Sequence, residues 1–328
     1  MTALLALLAS GPVVAAGKPE NAPSPPDRVK LAAAPYFPSG PLFIAADLGF
    51  FAAEGIEVEL VSIGRSTGAL PALAQGQVDV IGTIMNAALL NLVARGAPVR
   101  IVAGRMYESS VGCVSSAIVA RKGLVEQGRL ADGESMRGLR LSVDRAGTPT
   151  FFVSLLLDRV GLSLDDFELS DLAAAARGEA LKRDLIDLTV AFEPEVTQVL
   201  DSGAAEIWIP GHLIAPEHQS TFLLFGERLL ERERDLGKRF IRAYLLGVER
   251  YSEAEKSPEV VEVLARHTHL DLELIRRMCW PSMARDGRID RASLERYQAW
   301  AKEEGLIDST VEVAKMIDTG FLPAPVER

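Results

Sequence analysis

Short apolar runs and amphipathic segments alternate along the chain. The run at 28–34 predicts a strand, whereas apolar residues recur every three to four positions over 41–55 and predict a helix. The alternation extends to about residue 103, restarts after Gly112 and gives way to an almost wholly helical region from Glu231. Strands that alternate with helices predict an α/β layered architecture with right-handed crossovers.

The restart of this pattern divides the chain into two α/β units, as expected for 328 residues at roughly 150 per domain. We predict that lobe one comprises 29–110 together with 217–328, and that lobe two comprises 111–212. The hinge is then expected near 105–113 and 210–219, where the chain passes between the lobes.

Composition and charge exclude several classes of protein. Hydrophobic residues make up 48% and charged residues 24%, which is typical of a globular rather than a disordered chain. The net charge of -10 argues against nucleic acid as a partner, because binding to the phosphate backbone requires a basic surface.

The N-terminus resembles an export signal. Residues 1–16 are apolar and end in small residues, and a Pro-rich segment that we interpret as a linker follows at 17–28. The apolar stretch is shorter than the roughly 20 residues that span a bilayer, and no lipoprotein cysteine follows it. We expect a periplasmic protein; a buried N-terminal helix is the alternative.

The two cysteines, Cys113 and Cys279, are too few for a disulfide framework or a cysteine-based zinc cluster. One disulfide is an alternative, but we expect two unpaired buried thiols. His267 and His269 are two positions apart, which is poor geometry for a metal site on one helix face. No catalytic or nucleotide-binding motif stands in a convincing context, so we expect neither enzymatic activity nor a metal or cofactor.

Candidate ligand-binding residues lie in the turns where predicted strands end and helices begin. Free N–H groups at helix N-termini and Ser or Thr hydroxyls can bind carboxylates, sulfonates or ring carbonyls there. The candidates in four such turns are Tyr36, Phe37, Ser39, Arg65, Ser66, Thr67, Thr83, Met85, Asn86, Thr148, Thr150 and Phe151. The alternatives are that Arg65 is solvated, that Tyr36 and Phe37 belong to the core, and that four hydroxyls only cap helices, namely those of Ser66, Thr67, Thr83 and Thr148.

Glu193 follows a predicted apolar strand and precedes Pro194, so it occupies a strand-to-helix turn of the second lobe. Its carboxylate either caps the following helix or accepts hydrogen bonds from ligand N–H groups. In the second case Phe192, with Phe151, would offer an apolar face to a flat ligand.

Two motifs indicate a family. The first contains Ala46, Gly49-Phe50-Phe51, Gly55 and Val58, and the second contains Leu70, Leu73, Gly76 and Asp79. In order and spacing they resemble type II periplasmic binding proteins of the nitrate/sulfonate/taurine and NMT1/THI5-like (thiamin pyrimidine precursor) group. The resemblance covers about 29–320 and implies a two-lobed Venus-flytrap α/β fold whose helical C-terminal region packs on lobe one.

The same resemblance implies an extracytoplasmic solute-binding protein, which we expect to be a monomer. It would deliver a small organic ligand, similar to a sulfonate, a carboxylate or a pyrimidine, to the membrane permease of an ABC importer by hinge closure. The alternatives are a ligand-sensing module for a membrane partner and an enzyme on the same fold.

Overall fold

The fold is described from a computed structural model, for residues 25–61, 68–144, 147–253 and 255–324. Within these residues the chain forms two five-stranded sheets with helices packed on them. The strands are β1 (Asp27–Ala32), β2 (Ile56–Leu60), β3 (Val80–Ile84), β4 (Arg100–Gly104), β5 (Ser116–Arg121), β6 (Arg140–Ser142), β7 (Glu168–Ser170), β8 (Leu188–Phe192), β9 (Ala205–Pro210) and β10 (Thr221–Phe225).

Fourteen α-helices lie in the described residues, and the longest is the 20-residue α10. The helices are α1 (Gly40–Asp47), α2 (Phe50–Ala53), α3 (Ala69–Ala74), α4 (Ala87–Ala94), α5 (Gly133–Met136), α6 (Thr148–Val160), α7 (Ala174–Lys182), α8 (Glu195–Asp201), α9 (Gly211–Ile214), α10 (Arg234–Glu253), α11 (Pro258–Thr268), α12 (Leu272–Arg277), α13 (Arg291–Glu303) and α14 (Val313–Met316).

The two sheets share one topology. The first has the strand order β2-β1-β3-β10-β4, and the second has β7-β6-β8-β5-β9. In each sheet one antiparallel strand lies in fourth position: β10 between β3 and β4, and β5 between β8 and β9. The chain enters the second sheet through β5 and returns to the first through β10. We call the two sheets, with their helices, lobe one and lobe two; the predicted boundaries stay a prediction.

The two chain segments that connect the lobes run side by side. Tyr107 pairs with Gln219 in an antiparallel bridge, and the Glu108 N–H donates to the His218 carbonyl at 2.9 Å. Because backbone hydrogen bonds join them, the segments act as one short ribbon and not as two independent linkers.

The helical region of the C-terminal part completes lobe one. The long helix α10 packs along α1, and the two backbones approach so closely that a Cβ on Gly247 would lie 2.2 Å from the Pro41 carbonyl oxygen. The predicted continuous helix over 41–55 is wrong, because Gly49 adopts a left-handed φ of 77° and separates α1 from α2.

Candidate functional site

Two contacts join the lobes at the ends of their strands, and we call them together the interlobe seam. The first is formed by Met85 and Asn86 of lobe one with Gly147 and Thr148 of lobe two. The second links the turn after β8 to the segment that follows α12. Both involve turns at the carboxyl ends of strands, where open α/β sheets bind their ligands.

The first contact brings two predicted ligand turns together. The Thr148 hydroxyl donates to the Met85 carbonyl oxygen at 3.1 Å, and Asn86 pairs with Gly147 in an antiparallel bridge. Asn86 also caps α4, since its Oδ1 accepts from the Leu89 N–H at 3.0 Å. Asn86 therefore caps a helix and lies at the seam at the same time.

The second contact centres on Glu193. This buried carboxylate accepts from the Thr197 N–H at 3.1 Å and from the Thr197 hydroxyl at 2.8 Å, which satisfies the first turn of α8. It also accepts from the Cys279 N–H of lobe one at 3.0 Å. Burial raises the pKa of Glu193, and these hydrogen bonds offset part of the effect. The capping role is present; a ligand contact for Glu193 stays a prediction.

The expectation of two unpaired thiols is wrong. Cys113 and Cys279 form a disulfide with a Cα–Cα distance of 5.6 Å across a sequence separation of 166 residues. Cys113 lies on the connection into β5, and Cys279 follows α12 of lobe one. The fold brings the two sulfurs together because the segment after α12 runs beside that connection, where Met106 pairs with Met283.

A cavity of about 170 Å³ lies beside this disulfide. Its walls come from the connection into lobe two and from lobe one. Polar groups and one indole predominate among the lining residues, which are Ser109, Val111, Gly112, Cys113, Ser115, Glu255, Trp280 and Ser282. The cavity offers hydroxyl and backbone hydrogen-bond partners beside an apolar ring, a combination suited to a small polar organic molecule.

The aromatic candidates divide between surface and core. Tyr36 is 48% exposed, whereas Phe37 is buried and packs edge-to-face on Trp280 at 5.3 Å. Phe151 is fully buried between His218 and the rings of α13, and Phe192 is half-buried. The core alternative therefore holds for Phe37, and Phe151 is buried as well. A contact of either ring with ligand stays a prediction.

The remaining polar candidates make local contacts. The Thr83 hydroxyl donates to the Ile84 carbonyl at 3.2 Å, and the Thr150 hydroxyl donates to the Asp144 carbonyl. Ser39 is buried just before α1 without capping it. The candidates Arg65, Ser66 and Thr67 lie outside the described residues.

Two buried charged residues of the connecting segment were missed from the sequence. Arg105 is 2% exposed, donates to the Pro38 carbonyl and lies against Gly82, where a Cβ would come 2.3 Å from its Nη1. Glu108 is 2% exposed and accepts from the Ser116 hydroxyl at 2.8 Å. Burial raises its pKa to about 7. The sequence did contain a signal for these two residues, because both are ionisable and both lie in the segment predicted as a hinge.

Membrane and metal features were sought in the described ranges. Among the helices described, none has the length and apolarity to span a bilayer. Nor does this part of the chain bring together three His, Cys, Asp or Glu side chains able to hold a metal ion. His267 instead lies 2.9 Å from Asp47 and stacks on Phe43 at 4.4 Å.

Two sheets of matching topology, joined by a paired hinge ribbon and facing one another through strand-end turns, define a two-lobed fold of the periplasmic binding protein class. The sequence profile described as NMT1/THI5 like matches residues 37–258. The chain belongs to this NMT1/THI5-like family.

Solved structures share the fold at low sequence identity. The periplasmic aliphatic sulphonate binding protein SsuA from Escherichia coli is 13% identical, with a TM-score of 0.74 over 89% of this chain and 97% of that chain. A ligand-binding component of an ABC-type import system from Staphylococcus aureus is 16% identical, with a TM-score of 0.72 over 90% and 97%. The periplasmic nitrate-binding protein NrtA from Synechocystis PCC 6803 is 15% identical, with a TM-score of 0.68 over 92% and 88%. No curated protein matches the chain in sequence.

Proposed function

We propose that this chain is an extracytoplasmic solute-binding protein that delivers a small organic molecule to the permease of an ABC importer. The observation that carries the proposal is the interlobe seam with its adjacent cavity. Turns from distant parts of the chain meet there. The Thr148 hydroxyl of lobe two donates a hydrogen bond to the Met85 carbonyl of lobe one, and the Glu193 carboxylate accepts one from the Cys279 N–H. A ligand between these surfaces would contact both lobes.

Binding follows from that geometry. A solute that contacts one lobe gains further contacts when the other lobe closes, so it favours the closed form by the difference between its affinities for the two forms. The chain makes and breaks no bond in this process. The membrane permease would then recognise the closed form, and the solute would leave when the lobes separate.

The solute class is proposed from the neighbours and the cavity together. The sulphonate- and nitrate-binding proteins that share the fold suggest small anions, and the family resemblance adds the pyrimidine class. The cavity of about 170 Å³ suits a small molecule. Arg105 is buried and donates to the carbonyl of Pro38, so it supplies a positive charge beneath one of the predicted ligand turns. Export by residues 1–16, the predicted lobe boundaries and a monomeric state belong to the same proposal.

Native mass spectrometry of the purified full chain and thermal unfolding with sulfonates, carboxylates and aminopyrimidines test the proposal. A true solute raises the melting temperature progressively with its concentration, as linkage requires. Ser282→Phe, which places a ring in the cavity wall, should abolish the increase, whereas Ser309→Phe on an exposed turn should keep it. Chemical conversion of a bound compound by the chain would contradict the proposal and support an enzyme.

A further inference from the structure

Cys279 joins lobe one to the connecting segment and to lobe two by two different kinds of bond. Its sulfur is bonded to Cys113 on the connection into β5, and its N–H donates to Glu193 after β8. An ion pair between Arg277 and Asp201 of α8, at 2.9 Å, lies two residues away on the exposed surface. The segment 277–279 is therefore held covalently to the connection just before β5, and it is held to lobe two itself by a buried hydrogen bond and a surface charge pair.

These bonds differ in how far they resist separation of the lobes. A surface ion pair contributes little, because solvent screens it and ordering the side chains costs entropy. The Glu193 hydrogen bond is buried, yet it breaks once the carboxyl group moves away by a few ångströms. The disulfide does not break on motion and sets a fixed limit to the distance between Cys113 and Cys279.

The two cysteines of the disulfide differ in exposure. Cys113 is exposed and lines the cavity, whereas Cys279 is only 8% exposed. We therefore expect a small thiol to attack at Cys113, whereas Cys279 is the shielded partner. Access to one sulfur is sufficient for thiol–disulfide exchange, which proceeds through a mixed disulfide.

We propose that the Cys113–Cys279 disulfide and the Glu193–Cys279 hydrogen bond form a redox-sensitive latch that limits how far the two lobes open. This inference rests on the proposed function, since the motion it limits is the one that would admit and release the solute. In the reducing step a thiol attacks the sulfur of Cys113 and the Cys279 thiolate leaves. A second thiol then releases Cys113, so that one protein disulfide and two small thiols give two cysteines and one small disulfide. Reduction leaves the Glu193 hydrogen bond and the Thr148–Met85 contact to restrain the lobes, and it widens the opening.

Hydrogen exchange and small-angle X-ray scattering test the latch without any solute. The full chain is measured oxidised, reduced with dithiothreitol, and as the Cys113→Ser/Cys279→Ser double variant. In the two forms that lack the disulfide, the reduced protein and the double variant, exchange in the peptide that contains residue 279 should be at least about tenfold faster than in the oxidised protein. The radius of gyration of both forms should also increase. Exchange in β3 and β8 should not change. Dithiothreitol should have no further effect on the double variant.

The hydrogen-bond half of the latch has its own variant and a matched control. Glu193→Ala should accelerate exchange at Cys279 in the oxidised protein with little change in scattering, because the disulfide still limits the distance. Combining it with reduction should open the lobes further than reduction alone. Glu195→Ala, two positions away and 4.0 Å from Arg177 of its own lobe, should leave exchange at Cys279 unchanged.

The outcomes separate the latch from the transport proposal. Identical exchange and scattering before and after reduction would overturn the latch, and so would exchange that accelerates uniformly through both sheets, because this would mean global destabilisation. If the double variant does not fold, reduced wild-type protein gives the same decision. If these measurements refute the latch, the proposal of solute binding still stands. If no solute is found, these measurements remain valid because they use none.

Discussion

Replacing Glu108 by Gln should change how stability depends on pH, and the structure gives the sign. The carboxyl is buried where the connecting ribbon meets lobe two, and within the described residues its hydrogen-bond partner is the Ser116 hydroxyl. Burial raises its pKa from 4.5 to about 7. Between these two values the unfolded chain has released the proton while the folded chain retains it. Stability therefore falls as the pH rises through this window and levels off above about 7.

The size of the effect follows from the displaced pKa. At about 1.4 kcal/mol for each pH unit, a change from 4.5 to about 7 corresponds to about 3 kcal/mol of stability lost between pH 4 and pH 8. Glu108→Gln removes the titration and keeps the size of the side chain. The variant should lack this part of the decrease.

Urea denaturation of both proteins at half-unit pH intervals measures the difference directly, provided that the slope of the free energy of unfolding against urea stays constant. Subtracting the two curves matters because burial also raises the pKa of Glu195 to about 7 and lowers that of His218 to about 3. Those groups contribute equally to wild type and variant and cancel. A difference curve that is flat from pH 4 to pH 8 would refute the reasoning that Glu108 is buried and protonated in the folded chain.

Three further changes test the packing. Phe151→Ala should cost about 3–5 kcal/mol in urea denaturation by leaving a cavity between the lobes, and a loss below about 1 kcal/mol would contradict its buried position. Gly82→Ala should destabilise the protein by about 1–3 kcal/mol, because a Cβ there would lie 2.3 Å from the Arg105 guanidinium. Combining it with Arg105→Ala should remove this cost. A double variant whose loss of stability equals the sum of the two single losses would contradict the contact. Burial opposes ionisation of Asp187, but hydrogen bonds from Arg140 lower its pKa to about 2. As the pH falls from about 4 to 2, the free energy of unfolding of the wild type should therefore decrease by about 2 kcal/mol relative to Asp187→Asn. Curves of unfolding free energy against pH that stay parallel for the two proteins in acid would contradict the pairing.

Much of the architecture could be predicted from local pattern. Strands and helices follow from the apolar period, which sets which face of each element is buried. The turn at Glu193 was recognised because an apolar strand ends there before a proline. The break at Gly49 was missed, since a glycine inside an amphipathic run is compatible with an uninterrupted helix until neighbouring elements fix its conformation.

The site was only partly predictable for the same reason. Thr148 and Met85 were both candidates, but their hydrogen bond joins residues 63 positions apart and depends on how the two lobes pack against each other. The burial of Phe37 and Phe151 likewise depends on α13 and on the segment around Trp280, which no local pattern places beside them.

The sequence by itself determined the α/β class, the two-unit organisation and the family, because these depend on periodicity and on spacing within short segments. Only the tertiary structure decided that Cys113 and Cys279 are bonded and that Glu193 reaches a backbone amide of the other lobe. The physical reason is that pairing across 166 residues is set by how separate elements pack, and the one-dimensional order of residues carries no local signal for it.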